Sequence, residues 1–301
     1  MAWIGKFLGG TFGFMFGGPL GMVAGIAFGH LFDKADDFGK HDQNDSKNEQ
    51  SGYRWWEDEQ FRSSYQQQQQ QRYQQQSRTA EWKPFSETDD EPHEKLKITQ
   101  KQLLFFTGTF SMIYCVASAD GSVTQDEIVT IERDIITNRL KFSTQEGKVA
   151  MKFFRAAQEN NSTIDAYAKQ FYEVFSSSPA LLQLMVDFLY QVRAVDKDAS
   201  GKKERMIRQV ASIFALSDDV VLSISRKYDS PLSEVPYATL RLTSSATQDE
   251  VKRAYRKLCV EFHPDTLASQ GLGSEFKKVA EELFGEINTA YTTIKQQRGW
   301  Q

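Results

Sequence analysis

Cysteine is nearly missing from this 301-residue chain. The two present, Cys115 and Cys259, each fall inside a segment of helical periodicity, well separated in sequence. A disulfide framework and a zinc site are thereby excluded. Histidine is almost as scarce. From Pro236 onward His263 is the only one, with no Ser or Cys placed to use it as a base and no second His to share a metal. Neither sign of charge dominates: 36 Lys and Arg face 40 Asp and Glu, a net charge of −4. Such a balance gives no basic field for nucleic acid, and no nucleic-acid partner is expected. Aliphatic residues are sparse from about Phe38 to Glu94, where Gln, Ser, Asp and Glu prevail and Gln66 to Gln71 runs unbroken. That stretch cannot bury enough apolar area to offset its ordering entropy, and it reads as a disordered linker. As a coil its reach is roughly 40 Å or more. Trp55, Trp56, Phe61 and Trp82 are out of keeping with it and suit lipid headgroups.

Charge is absent altogether from Phe7 to Gly29, 23 residues. As a helix this run would be about 35 Å long, enough to cross a hydrocarbon core of about 30 Å. Gly9, Gly13, Gly17, Gly21, Gly25 and Gly29 recur at every fourth position. In water each costs about 1 kcal/mol relative to alanine. In lipid the backbone must bond internally, so a helix remains the solution. Small residues at this spacing let two helix backbones approach, which predicts homodimerisation through the membrane segment. Pro19 is expected to bend the span. A cleaved signal peptide is the rival reading, but the apolar run is long for one. Lys6 stands on one side and Lys34, Lys40 and Lys47 on the other, a bias towards a cytoplasmic C-terminal side.

From about Lys97 to Tyr228 the chain reads as all helix. Thr124–Glu127 and Ser143–Glu146 have the capping-box spacing, and Ser178-Pro179 suits a helix start. Apolar stripes follow, among them Leu103, Phe106, Phe110 and Ile113, then Ala168, Phe171, Tyr172 and Phe175, then Leu181, Leu184, Met185, Phe188 and Leu189. These predict a helical bundle core. Two acidic turns, Ser118–Glu127 and Asp196–Glu204, look like halves of an internal repeat. Asp196, Asp198, Ser200 and Gly201 imitate the start of a calcium loop, but its twelfth position is Ile207, so an EF-hand is excluded. Capping and turn formation account for these acidic residues, and no metal site is assigned.

Near the C-terminal end, Thr247 to Asp265 carries the most specific pattern. A capping box, Thr247 with Glu250, opens a helix with Val251, Ala254, Tyr255, Leu258 and Phe262 on one stripe. Lys252, Arg253, Arg256 and Lys257 fill much of the remaining surface, and Pro264 ends the helix at His263. A short helix, Pro236 to Leu242, precedes it. A longer one, Phe276 to Gln297, follows, with Val279, Ala280, Leu283, Ile287, Ala290, Tyr291 and Ile294 in a stripe.

A basic helix, a His-Pro-Asp loop and an antiparallel partner helix resemble the J domain of the DnaJ family. The middle segment resembles the TerB-like helical domain of tellurite-resistance proteins. Met1–Phe7, Gly29–Lys34 and the longer loop through Gln270-Gly271-Leu272 are similar to membrane-anchored DnaJ-like proteins of Gram-negative bacteria. The expected fold is all-α: a transmembrane anchor over 1–34, a linker over 35–95, a TerB-like domain over 96–230 and a J domain over 235–301. The resemblance implies a single-pass inner-membrane co-chaperone with a short periplasmic N-terminus. Its J domain would stimulate the ATPase of a DnaK-type chaperone. His263, Pro264 and Asp265 would dock on that partner, Asp265 against an arginine, with Lys252, Arg253, Tyr255, Arg256 and Lys257 supplying the contact face. Glu261 and Thr266 depart from the pattern, standing where Lys is usual. No enzymatic activity and no cofactor are implied. A different reading makes the chain a membrane-bound sensor or adaptor working through the TerB-like domain.

Overall fold

The computed structural model describes residues 18–33, 100–160, 162–195, 200–263 and 273–300. Every element among them is helical. The central helix α2 (Gln100–Ala117) is buried on all sides from Leu103 to Ile113, so the stripe expected from sequence is a full apolar cylinder. Around it pack α4 (Thr144–Glu159), α5 (Ile164–Phe175), α6 (Pro179–Arg193) and α7 (Lys202–Ile213). Phe105, Phe171 and Phe175 cluster at the α2–α5 contact, with ring centroids 4.5 to 6.0 Å apart. Gly108 is needed there, because a Cβ at that position would lie 2.5 Å from the Phe171 ring.

Between α2 and α4 a short α3 (Gln125–Val129) widens into a π-helical stretch, Thr130–Arg139. The capping boxes at Thr124 and Ser143 form as their spacing predicts. Ser178 does not cap α6 with its side chain; Pro179 alone marks that start. The two acidic turns are joined by a fully buried lysine. Lys203 Nζ lies 2.7 Å from Glu127 Oε1 and 3.1 Å from Asp120 Oδ2. An internal ammonium thus occupies the first turn's carboxylates. Asp196 and Asp198 of the second turn lie outside the described residues.

The N-terminal segment differs from expectation. Helix α1 (Gly18–Asp33) has 16 residues, and among the described residues no helix is long and apolar enough to cross a membrane. Gly9, Gly13 and Gly17 lie outside the described residues. Pro19 sits in the first turn, where its missing N–H costs nothing, and so it begins the helix instead of bending it. α1 packs on α2, α4 and α5, burying Leu20, Val23, Ala24 and Ala27. Leu20 N donates to Gln170 Oε1 at 2.9 Å. An apolar helix that is not in lipid is driven onto an apolar groove by the same hydrophobic term that builds the core.

At the other end α8 (Asp218–Asp229) leads within five residues to α9 (Val235–Thr239), then α10 (Gln248–Glu261) and α11 (Gly273–Arg298). The last two form an antiparallel hairpin. α9 packs on both α8 and α11, which seats the hairpin against the bundle.

Candidate partner-binding surface

Helix α10 is built to show one face. At its start Thr247 Oγ1 accepts from Glu250 N at 3.4 Å, and Glu250 Oε2 accepts from Thr247 N at 2.8 Å. The Thr247 backbone bond holds the Glu250 carboxyl below its usual range. Val251, Leu258 and Phe262 are buried, opposite Leu283, Ile287 and Ile294 of α11 in one continuous core. The helix stops at Glu261, two residues short of the His263 expected from sequence. Phe262 follows as its C-cap.

The basic residues lie where the spacing placed them. Arg253, Arg256 and Lys257 are exposed and Lys252 is half-buried. Among the described residues no ion pair closes on any of the four. Val260, 73 % exposed, and the exposed His263 continue this strip towards the loop. The His263 ring stands edge-on to Phe284 of α11, centroids 6.0 Å apart. Pro264, Asp265 and Thr266 lie outside the described residues.

Tyr255 belongs to the hairpin more than to the open face. Its hydroxyl donates to Asn288 Oδ1 at 2.7 Å, and its ring stacks on Tyr291 at 4.2 Å. Burial pushes its phenol above the ordinary value.

Glu261 turns away from the strip. It accepts from Arg241 Nη1 at 3.1 Å and Nη2 at 2.9 Å, and from Gln183 Nε2 of the bundle at 2.8 Å. Burial raises its carboxyl, but the Arg241 bonds outweigh that and bring it below the usual range. A residue that read as lost positive charge is therefore a contact between domains. Sequence reasoning missed its partners, although a signal existed. Gln183, Asp187 and Gln191 interrupt the apolar run of α6 at intervals of four, a polar stripe on one side of an otherwise buried helix.

Among the described residues no three His, Cys, Asp or Glu side chains gather in a way that could hold a metal ion. Both cysteines are free thiols, and burial pushes that of Cys115 up to about 12.

Three family models match the chain in order. Residues 1–50 match the Co-chaperone DjlA transmembrane domain, 107–224 match Tellurite resistance protein TerB, and 235–299 match the DnaJ domain. The Co-chaperone protein DjlA of Coxiella burnetii is 25 % identical over 316 residues, covering 99 % of each chain. That of Legionella pneumophila is 26 % identical over 338 residues, covering 99 % of this chain and 96 % of its own. The Photobacterium profundum protein is 24 % identical, covering 98 % and 99 %. No solved structure matches. The ordered matches make the chain similar, over nearly its whole length, to the DjlA co-chaperones, with segments that match the TerB and DnaJ domain models.

Proposed function

We propose that the chain is a single-pass inner-membrane co-chaperone. Its J domain recruits a DnaK-type chaperone at the cytoplasmic face and stimulates its ATPase. One observation carries the reading: Arg253, Arg256, Lys257, Val260 and His263 form an exposed strip, while α9, itself packed on α8 of the bundle, covers α11 of the hairpin. Arg253, Arg256 and Lys257, on which no ion pair closes among the described residues, give a cationic strip that speeds encounter with an acidic partner and sets its orientation. His263, Pro264 and Asp265 make the tip that docks, with Lys252 at the margin of the strip. Tyr255 serves by holding α10 to α11.

The uncharged run from Phe7 to Gly29 and the match to a DjlA transmembrane domain support the anchor, which in the bilayer leaves the groove that α1 fills among α2, α4 and α5. The N-terminus lies in the periplasm, and the glycine repeat from Gly9 to Gly29 pairs two chains in the bilayer. Leucine at Gly13, Gly17 and Gly21 should abolish self-association in membranes; unchanged dimerisation removes the pairing from the proposal.

The central test places the full chain in nanodiscs with purified DnaK and follows phosphate release. Stimulation is expected, falling as salt screens the strip, and His263→Gln should remove it. A basal rate unmoved at saturating co-chaperone overturns the reading.

A further inference from the structure

The hairpin is held to the bundle by more than its short connection. Arg139, the last residue of the π-helical stretch, pairs with Asp187 of α6, and its Nε lies 3.2 Å from Glu286 Oε1 of α11. Lys227 of α8 bridges the same two carboxylates, 2.9 Å from Asp187 Oδ1 and 3.4 Å from Glu286 Oε2. Arg139 also donates to Gln191 Oε1 at 3.2 Å. Two cations and two carboxylates thus form a closed set, to which the J domain contributes only Glu286. A second polar cluster is the one around Glu261. There Gln183 donates to the carboxylate and accepts from Arg241, which itself bonds both oxygens of Glu261.

Partly buried polar clusters add little net affinity, because desolvation offsets most of the attraction. They discriminate strongly between orientations, since any other arrangement strands a charge. Two such clusters at separate points fix a body in a way one could not. The second lies two residues before His263, so a side chain of the bundle steadies the helix end from which the docking loop springs.

We propose that the TerB bundle is the mount of the J domain. Arg139, Asp187 and Lys227 set the hairpin's orientation through Glu286, and Gln183 braces the His263 end of α10 through Glu261. These bundle side chains are positioning residues for chaperone stimulation. That last part rests on the function proposed above; the fixed orientation does not.

The test uses the full chain in nanodiscs, with Cys115 and Cys259 replaced by alanine. Spin labels go on cysteines at the exposed positions Thr144 and Gln296, diluted with unlabelled chain. Electron–electron distance measurement should give one narrow distribution. Glu261→Lys sets a cation against Arg241 and should broaden it, as Gln183→Leu should to a smaller degree. In both variants maximal ATPase stimulation should fall several-fold, with little change in the half-saturating concentration. Glu261→Gln keeps an oxygen for Arg241 and should restore both readouts. A broad distribution in the unmodified chain overturns the mount, as does a narrow one with full stimulation in Glu261→Lys. A narrow distribution that broadens in Glu261→Lys, in a chain that never stimulates DnaK, supports the mount and sinks only the functional reading.

Discussion

The bundle and the hairpin bury their helices in opposite proportions. In the bundle α2 is enclosed from Leu103 to Ile113 and α6 from Ala180 to Tyr190, all the way round. In the hairpin α10 buries only Val251 and Leu258 of its fourteen residues, with Phe262 just beyond its end. An enclosed helix has no face left for a partner. A helix buried on one stripe leaves the rest of its surface free to carry charge. Three ionic groups show the same division: Lys203 and Glu127 are paired and buried in the bundle, Arg139, Asp187, Lys227 and Glu286 meet along the seam, and Arg253, Arg256 and Lys257 are exposed on α10.

The sharpest way to break this contrast is to remove the bundle's most buried cation. Lys203 sits at 0 % exposure against Glu127, also at 0 %. Burial pushes the Glu127 carboxyl above its ordinary range, and Lys203 and Thr124 pull it back. Lys203→Ala leaves that carboxylate enclosed and unpaired, at a cost of about 3–5 kcal/mol. Denaturant unfolding should show the loss near neutral pH and a smaller one in acid, where Glu127 can protonate. A change under about 1 kcal/mol would mean that water reaches the site and that the bundle is less closed than described.

The seam should respond to acid. Burial raises the Asp187 carboxyl, but Arg139 and Lys227 outweigh it and hold it down to about 2, from an ordinary 3.8. A depressed carboxyl gives stability that is full above its unfolded value and lost as the pH falls through the folded one. Between roughly pH 4 and pH 2 the chain should therefore lose about 2 kcal/mol from this group alone. Glu261, also depressed, adds in the same direction. Asp187→Asn should flatten this slope in pH-dependent unfolding; an unchanged slope would assign the acid sensitivity elsewhere.

Much of this was legible in the sequence, for identifiable reasons. Capping boxes at Thr124, Ser143 and Thr247 were readable because two residues three positions apart decide each of them. The exposed strip was readable because helical spacing alone puts Arg253, Arg256 and Lys257 together. The seam was not, because Arg139, Asp187 and Glu286 are distant in sequence and meet only through packing. The seating of α1 was equally hidden: an uncharged segment satisfies a groove and a bilayer by one and the same property. Pro264 and Asp265 rest on sequence alone, since they lie outside the described residues.

The smallest expected effect compares two capping boxes of nearly one geometry. The Thr124 N–H reaches Glu127 at 2.8 Å and the Thr247 N–H reaches Glu250 at 2.8 Å. The return bonds are 3.3 and 3.4 Å. They differ in surroundings, for Glu127 is enclosed with Lys203 while Glu250 stands in solvent. Thr247→Ala should cost about 1 kcal/mol, because water replaces most of what the cap supplied. Thr124→Ala should cost nearer 2 kcal/mol, since Glu127, which it leaves short of a partner, is buried and less able to turn to water. Chaperone stimulation should hardly change in Thr247→Ala, because His263 lies beyond the opposite end of a fourteen-residue helix, about 21 Å away. Equal losses in the two variants would show that capping geometry alone sets the worth of a box, and that enclosure in the bundle adds nothing to it.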